Sequence, residues 1–212
     1  MAHRVALIHA VKVAIAPVED AFRRLWPEAK LVNLLDDSLS VDRARTVELT
    51  PEMQKRIAGL ATYAVECGAD AILYTCSAFG AAIEAVQRAS SIPVLKPNEA
   101  MFREALGHGR RLGMLATFEP SVGALEAELR SLRNDLHIRT VCVPEAMTAL
   151  QAGDGATHDG LLAIAAGTLG DCDAVMLAQF STARARDPVS KAVPCPVLTS
   201  PQSAVQRLRT ML

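Results

Sequence analysis

Ala69-Asp70-Ala71-Ile72-Leu73-Tyr74-Thr75-Cys76-Ser77-Ala78-Phe79 decides how the rest of the chain is read. Ile72 to Thr75 is a short apolar, β-favouring run behind the turn signal Cys67-Gly68-Ala69-Asp70, and it reads as a buried strand of an α/β sheet. Small residues then lead into a helical pattern from Phe79 to Arg88. Cys76 therefore falls where a strand ends and a helix begins. Unpaired backbone N–H groups and the positive end of the helix dipole at such a place favour thiolate. A counterpart stretch, Cys172-Asp173-Ala174-Val175-Met176-Leu177-Ala178-Gln179-Phe180-Ser181, lies further along.

The two stretches share a register. Asp70-Ala71-Ile72-Leu73 matches Asp173-Ala174-Val175-Met176 at an offset of 103, and Pro93-Val94-Leu95 matches Pro196-Val197-Leu198 at the same offset. Two matches in one register point to two similar α/β lobes. Cys76 and Gln179 then end equivalent strands, and ligands of open α/β sheets bind beyond such carboxyl ends. The expected site is a cleft between lobes.

The flanking sequence supplies the other elements. Val5 to Val11 reads as the first strand, and Pro17 opens a helix with Val18, Phe22 and Leu25 on its apolar face. Leu31 to Leu35 is a second strand, followed by a polar loop at Asp36-Asp37-Ser38. Thr50-Pro51 is an N-cap signal ahead of Met53, Ile57, Leu60, Ala61, Ala64 and Val65 at helical spacing. Ile92 to Lys96 is a short strand, and Asn98 caps a helix carrying Met101, Phe102, Ala105 and Leu106. Leu112 to Ala116 is a strand leading to Ser121, which caps the next helix, and His137 to Val143 is another strand. Gln151 to Thr157 reads as a Gly-rich loop, Val175 to Ala178 and Pro196 to Leu198 as strands, and Gln202 to Met211 as the last helix. Strands alternating with helices imply parallel layers. The expected architecture is α/β: two pseudo-symmetric, flavodoxin-like lobes over residues 1–98 and 99–200, with helix 201–212 packing back on the first.

Composition narrows the function. The chain has 212 residues, 50% hydrophobic and 21% charged, with a net charge of −1. That suffices for a substantial core, and near-neutrality offers no electrostatic footprint for nucleic acid or a membrane surface. Aromatics, at 4%, are too few for base-stacking platforms. The five cysteines are odd in number and lack zinc-ligand spacing, so they read as reduced thiols of a cytoplasmic protein with no metal site. Val5 to Ala16 is mostly apolar, yet His9 and Lys12 interrupt it, and it reads as a strand rather than a signal peptide. Gly107-His108-Gly109-Arg110-Arg111-Leu112-Gly113 follows a helix and precedes a strand, the reverse of a dinucleotide loop, and reads as a helix C-cap.

Ala71-Ile72-Leu73-Tyr74-Thr75-Cys76-Ser77, Gly113-Met114-Leu115-Ala116-Thr117 and Asp173-Ala174-Val175-Met176-Leu177-Ala178-Gln179 together resemble the aspartate/glutamate (hydantoin) racemase superfamily. That group includes maleate isomerase and arylmalonate decarboxylase. The resemblance implies two lobes, a small carboxylate substrate, and no metal, pyridoxal phosphate or nucleotide cofactor. It also implies a cysteine from each lobe facing the substrate's α-carbon. Here the first position is Cys76 and the second is Gln179. An amide is neither acid nor base at neutral pH, whereas two-base racemisation needs one of each on opposite faces. What remains is chemistry for one thiol: isomerisation or racemisation-like proton transfer, with decarboxylation second and a non-catalytic carboxylate-binding protein third. Racemisation survives only if His9 or Glu119, both at strand exits, supplies the second base.

For Cys76 the plain alternative is a buried small hydrophobe, and for Gln179 it is a loop residue rather than a ligand of substrate carboxylate. Ser77, Ala78, Phe180 and Ser181 lie where strand-to-helix turns offer N–H donors for an anion. Thr117 and Ser121 follow the same logic. His3, His108, His137 and His158 read as surface or edge residues, and Cys67, Cys142, Cys172 and Cys195 as packing thiols. Related enzymes are often dimers, so a monomer and a homodimer both stay open.

Overall fold

The computed structural model describes residues 2–46 and 48–212. The first half builds a four-stranded parallel sheet in the order β2-β1-β3-β4 from β1 (Arg4–His9), β2 (Lys30–Leu35), β3 (Ala71–Tyr74) and β4 (Val94–Leu95). The second half repeats the plan as β6-β5-β7-β8, from β5 (Arg111–Ala116), β6 (His137–Cys142), β7 (Ala174–Leu177) and β8 (Val197–Thr199). Helices α1 (Ile15–Leu25), α2 (Ser38–Ala44), α3 (Pro51–Glu66) and α4 (Gly80–Ala89) pack around the first sheet. The second is covered by α5 (Glu99–Ala105), α6 (Glu119–Leu132), α7 (Pro144–Gln151), α8 (Gly155–Ala166) and α9 (Arg186–Ala192). The fold is α/β with two lobes of matching topology.

The central strands are covered on both faces, which is why they read as unbroken apolar runs. All of β3 and β7 is buried, as are the last five residues of β1 and of β5. Each fully buried Val, Leu, Ile or Met side chain there contributes about 1.5–3 kcal/mol. The flanking helices follow their periodicity: Val18 and Phe22 of α1, and Met53, Ile57, Ala61 and Ala64 of α3, turn inward. Thr50 caps α3 as expected, accepting from the Met53 N–H at 3.3 Å. The final helix, α10 (Ser200–Met211), puts Ala204, Val205 and Leu208 into the first-lobe core beside Val18 and Phe22. It also touches α5, where Ser203 Oγ donates to Glu104 Oε2 at 2.6 Å.

The 103-residue repeat falls on equivalent places. Ile72 N–H donates to Pro93 O at 2.8 Å, and Val175 N–H donates to Pro196 O at 2.9 Å, so each matched pair joins a central strand to the outer one. Asp70 Oδ2 accepts from Arg4 N–H at 2.7 Å, and Asp173 Oδ2 accepts from Arg110 and Arg111 N–H at 2.9 Å each. Gly109 leaves room for that carboxylate, because a Cβ there would lie 2.1 Å from Asp173 Oδ2. The Arg111 backbone N–H, then the Arg111 guanidinium, depress the Asp173 carboxyl to about 2. A depressed carboxylate stabilises the fold above its unfolded pKa and loses that contribution as pH falls through the folded value. Asp173→Asn is therefore expected to lower stability at neutral pH and to flatten the acid limb between pH about 4 and about 2. Urea midpoints measured across that range check it, and an unaltered limb would refute it.

Lys96, just after β4, joins the lobes. Its ammonium lies 2.8 Å from Glu84 of α4 and 2.8 Å from Glu128 of α6. Burial pushes the Glu128 carboxyl upward and the Lys96 charge opposes it.

Four expectations need correction. The polar segment after β2 winds into α2 at Ser38, and the expected Gly-rich loop shrinks to residues 152–154, because Gln151 ends α7 and Gly155 opens α8. Asn98 makes no side-chain cap; its Oδ1 accepts from the Ser200 hydroxyl instead. Ser121 lies inside α6, which starts at Glu119. Among the described residues no helix is long and apolar enough to cross a membrane.

Candidate functional site

The carboxyl ends of β3, β5 and β7 open onto a cavity of about 300 Å³ between the lobes. A parallel sheet collects such ends on one side, so residues distant in sequence meet there. Thr75, Cys76, Ser77 and Ala78 line it from the first lobe, and Phe118, Ser121, Gln179, Phe180 and Ser181 from the second.

Cys76 is extended (φ −120°, ψ 121°) ahead of a 3₁₀ turn at Ser77–Phe79. Burial is the largest influence on its thiol and pushes the pKa up; the Ala78 N–H and the Arg43 guanidinium pull less strongly downward. The expected thiolate is thus corrected. Partly open to the cavity but walled by protein, the sulfur rests as a thiol, because desolvation of the anion outweighs one N–H and one neighbouring cation.

Gln179 is held by its own lobe. Its Oε1 accepts from Thr117 N–H at 3.0 Å and its Nε2 donates to Ser121 Oγ at 3.3 Å. Ser121 Oγ donates onward to Phe118 O at 2.8 Å. The amide thus ties the β7 exit to the β5 exit. Thr117 is buried behind this tie and does not line the cavity.

Neither candidate for a second base faces the cavity. His9 is 1% exposed, with Nδ1 2.8 Å from Thr75 Oγ1 and Nε2 2.9 Å from Asn33 Oδ1. The Asn33 amide donates to Glu19, so its oxygen faces the ring and Nε2 carries the proton. Burial lowers the His9 pKa, against the Asn33 bond and the Glu19 charge, which keeps the imidazole neutral. It stands in the same lobe as Cys76, behind Thr75, and acts by holding that turn. Glu119 is exposed and sits beside Cys142 at the end of β6. Burial first, then the Glu119 carboxylate, push that thiol up to about 12.

The short helices add residues that the sequence reading missed. α2 brings Arg43, whose Nε donates to Ala78 O at 3.2 Å and whose Nη1 donates to Thr46 O at 2.6 Å. Among the described residues it pairs with no carboxylate and is the one charged side chain lining the cavity. Leu39 and Arg43 are four residues apart and share an inward face, a spacing that signals this helix. α7 brings Met147 and Gln151. Val11, Val13, Ala14, Val41 and Pro97 complete a largely apolar wall. Among the described residues no group of three or more His, Cys, Asp or Glu side chains could hold a metal ion.

Known proteins match this arrangement. The structure superposes on glutamate racemase from Bacillus anthracis with a TM-score of 0.78 at 19% identity, covering 100% of this chain and 81% of that one. Allantoin racemase from Klebsiella pneumoniae gives 0.72 at 16% identity, covering 99% and 87%. Arylmalonate decarboxylase gives 0.68 at 18% identity, covering 98% and 92%. No curated protein sequence matches the chain. A family model for Asp/Glu/hydantoin racemase matches residues 15–208, nearly the whole length. With two matched lobes and a cavity at their facing strand ends, the chain belongs to the Asp/Glu/hydantoin racemase family.

Proposed function

We propose that this chain is a cofactor-independent, single-cysteine enzyme acting at the carbon next to the carboxylate of a small acid, with Cys76 as its proton donor. One observation carries the reading: among the described residues lining the cavity, Cys76 is the one whose side chain is an uncharged acid stronger than a hydroxyl or an amide. Arg43 stays charged, the hydroxyls of Ser40, Thr75, Ser77, Ser121 and Ser181 are far weaker acids, and Gln179 is an amide. Proton transfer is confined to one face.

Two-sided racemisation loses support for that reason, and decarboxylation of a malonate-type acid gains it. Arg43 and the Ser77 N–H hold one carboxylate. The second lies against the apolar wall, where its charge is poorly solvated and its loss as CO₂ is favoured. The breaking C–C bond leaves its electron pair on the α-carbon as an enediolate. The Cys76 S–H delivers its proton there, and the thiolate regains one from water. A raised thiol pKa suits this role, because the group must arrive protonated. While ionised, the sulfur is steadied by the Ala78 N–H and Arg43.

A second reading, geometric isomerisation through addition of Cys76 to an alkene diacid, is favoured by that same N–H and cation, which stabilise the attacking thiolate. Incubation in heavy water with aryl and alkyl malonates, maleate, amino acids and hydantoins separates these readings. The expected result is CO₂ release from a malonate with one deuterium at the α-carbon. Cis–trans conversion of maleate would select the second reading, and exchange on amino acids or hydantoins would return the chain to racemisation.

A further inference from the structure

A second cavity, of about 490 Å³, lies between α1 of the first lobe and the Ser181–Asp187 segment of the second. Arg23 and Arg24 line it from one lobe and Arg184 and Arg186 from the other. The carboxylates in its lining are Asp20 and Asp187, so cations exceed anions by two.

Much of the hydrogen-bonding capacity of these guanidinium groups is unspent. Arg184 donates through Nε to Asp159 at 2.9 Å, leaving its two terminal nitrogens without a protein partner among the described residues. The Nε of Arg186 is buried and unpartnered, and that side chain approaches Asp187 only at 3.6 Å. Arg24 pairs with no carboxylate among the described residues, whereas Arg23 is engaged by Asp20.

Arg184 is also held in place. Gly155, at the start of α8, makes room for it, since a Cβ there would fall 2.2 Å from its Nη2. Asp159, its partner, accepts in turn from His158 Nδ1 at 2.7 Å. His158 is fully buried, contrary to the surface position expected of it. A buried histidine, a carboxylate and a glycine thus orient one arginine of the cleft.

We propose that this cleft binds a small polyanion, with two or more phosphate or carboxylate groups, as a regulatory ligand. Planar guanidinium forks match both oxyanions in bidentate fashion, and the volume suits a metabolite-sized molecule. Such a ligand ties Arg23 and Arg24 to Arg184 and Arg186 across the lobe boundary. Val13 and Ser181 line both cavities, so the tie acts on a wall of the Cys76 site. This inference does not depend on the reaction proposed for Cys76.

Calorimetric titration of the full chain with sodium pyrophosphate and, separately, citrate tests it. At low salt at least one should bind with a Kd below about 1 mM. Pyrophosphate alone would assign phosphate chemistry, citrate alone carboxylate chemistry. Arg24→Ala/Arg186→Ala should weaken binding at least about tenfold, the loss of two charge-assisted contacts, while its melting temperature without ligand stays near wild type. Gly155→Ala, which displaces Arg184, should weaken it several-fold. Arg43→Met should leave it unchanged. Binding of neither probe, equal affinity in the arginine double variant, or loss of binding in Arg43→Met would overturn the proposal.

Discussion

Cys76→Ala is expected to lower kcat by about a thousandfold on the acid that the heavy-water panel identifies, with KM little changed. In the proposed mechanism this variant removes the proton donor and leaves in place Arg43 and the Ser77 N–H, the groups assigned to the retained carboxylate. Stability should shift by no more than about 1 kcal/mol, because the side chain is small and borders a cavity. Cys76→Ser is expected to be almost as slow, since a hydroxyl keeps the shape but is a far weaker acid. Steady-state kinetics beside thermal melts check both variants. Turnover near that of the wild type in Cys76→Ala would remove the thiol from the mechanism.

Phe180→Ala is expected to cost about 3–5 kcal/mol, the range for deleting a buried aromatic ring. The residue follows β7 in the second lobe, yet it is 1% exposed and sits in the first-lobe core with Ala14, Leu95 and Ala204. It plugs one lobe into the other and lines the cavity as well. The loss should appear as a lower urea midpoint with little change in slope. A cost below about 1 kcal/mol would mean that the lobes do not rely on this plug.

How much of this the chain announces in advance follows from packing. β1, β3, β5 and β7 lie under helices on both faces, so their residues form plain apolar runs, and the repeat in two of them exposes the twofold plan. α2, α7 and α9 are short, and each buries only one side chain from its own length, Leu39, Ala146 or Val189. Too little apolar periodicity survives in seven or eight residues to mark a helix. Arg43, Met147 and Gln151 were invisible with those helices. Cys76, Ser77, Ala78, Ser121, Gln179, Phe180 and Ser181 were legible because strand ends converge by topology. His9 and Glu119 also end or follow strands, but strand position does not tell which way a side chain turns. His9 turns into the polar pair Thr75 and Asn33, and Glu119 toward Cys142. The thiolate expectation failed for a different reason: position at a strand end reveals the N–H donor but not how far burial strips water from the anion, and at Cys76 that loss outweighs the Ala78 N–H and Arg43.

The central claim is that one thiol on one side of the cavity delivers the proton. The most direct measurement is the configuration of the product formed from a prochiral α-aryl-α-methylmalonate. Single-sided delivery from Cys76 predicts one enantiomer of the monoacid, with its α-hydrogen drawn from solvent. An equal mixture of enantiomers from the wild-type chain would contradict it.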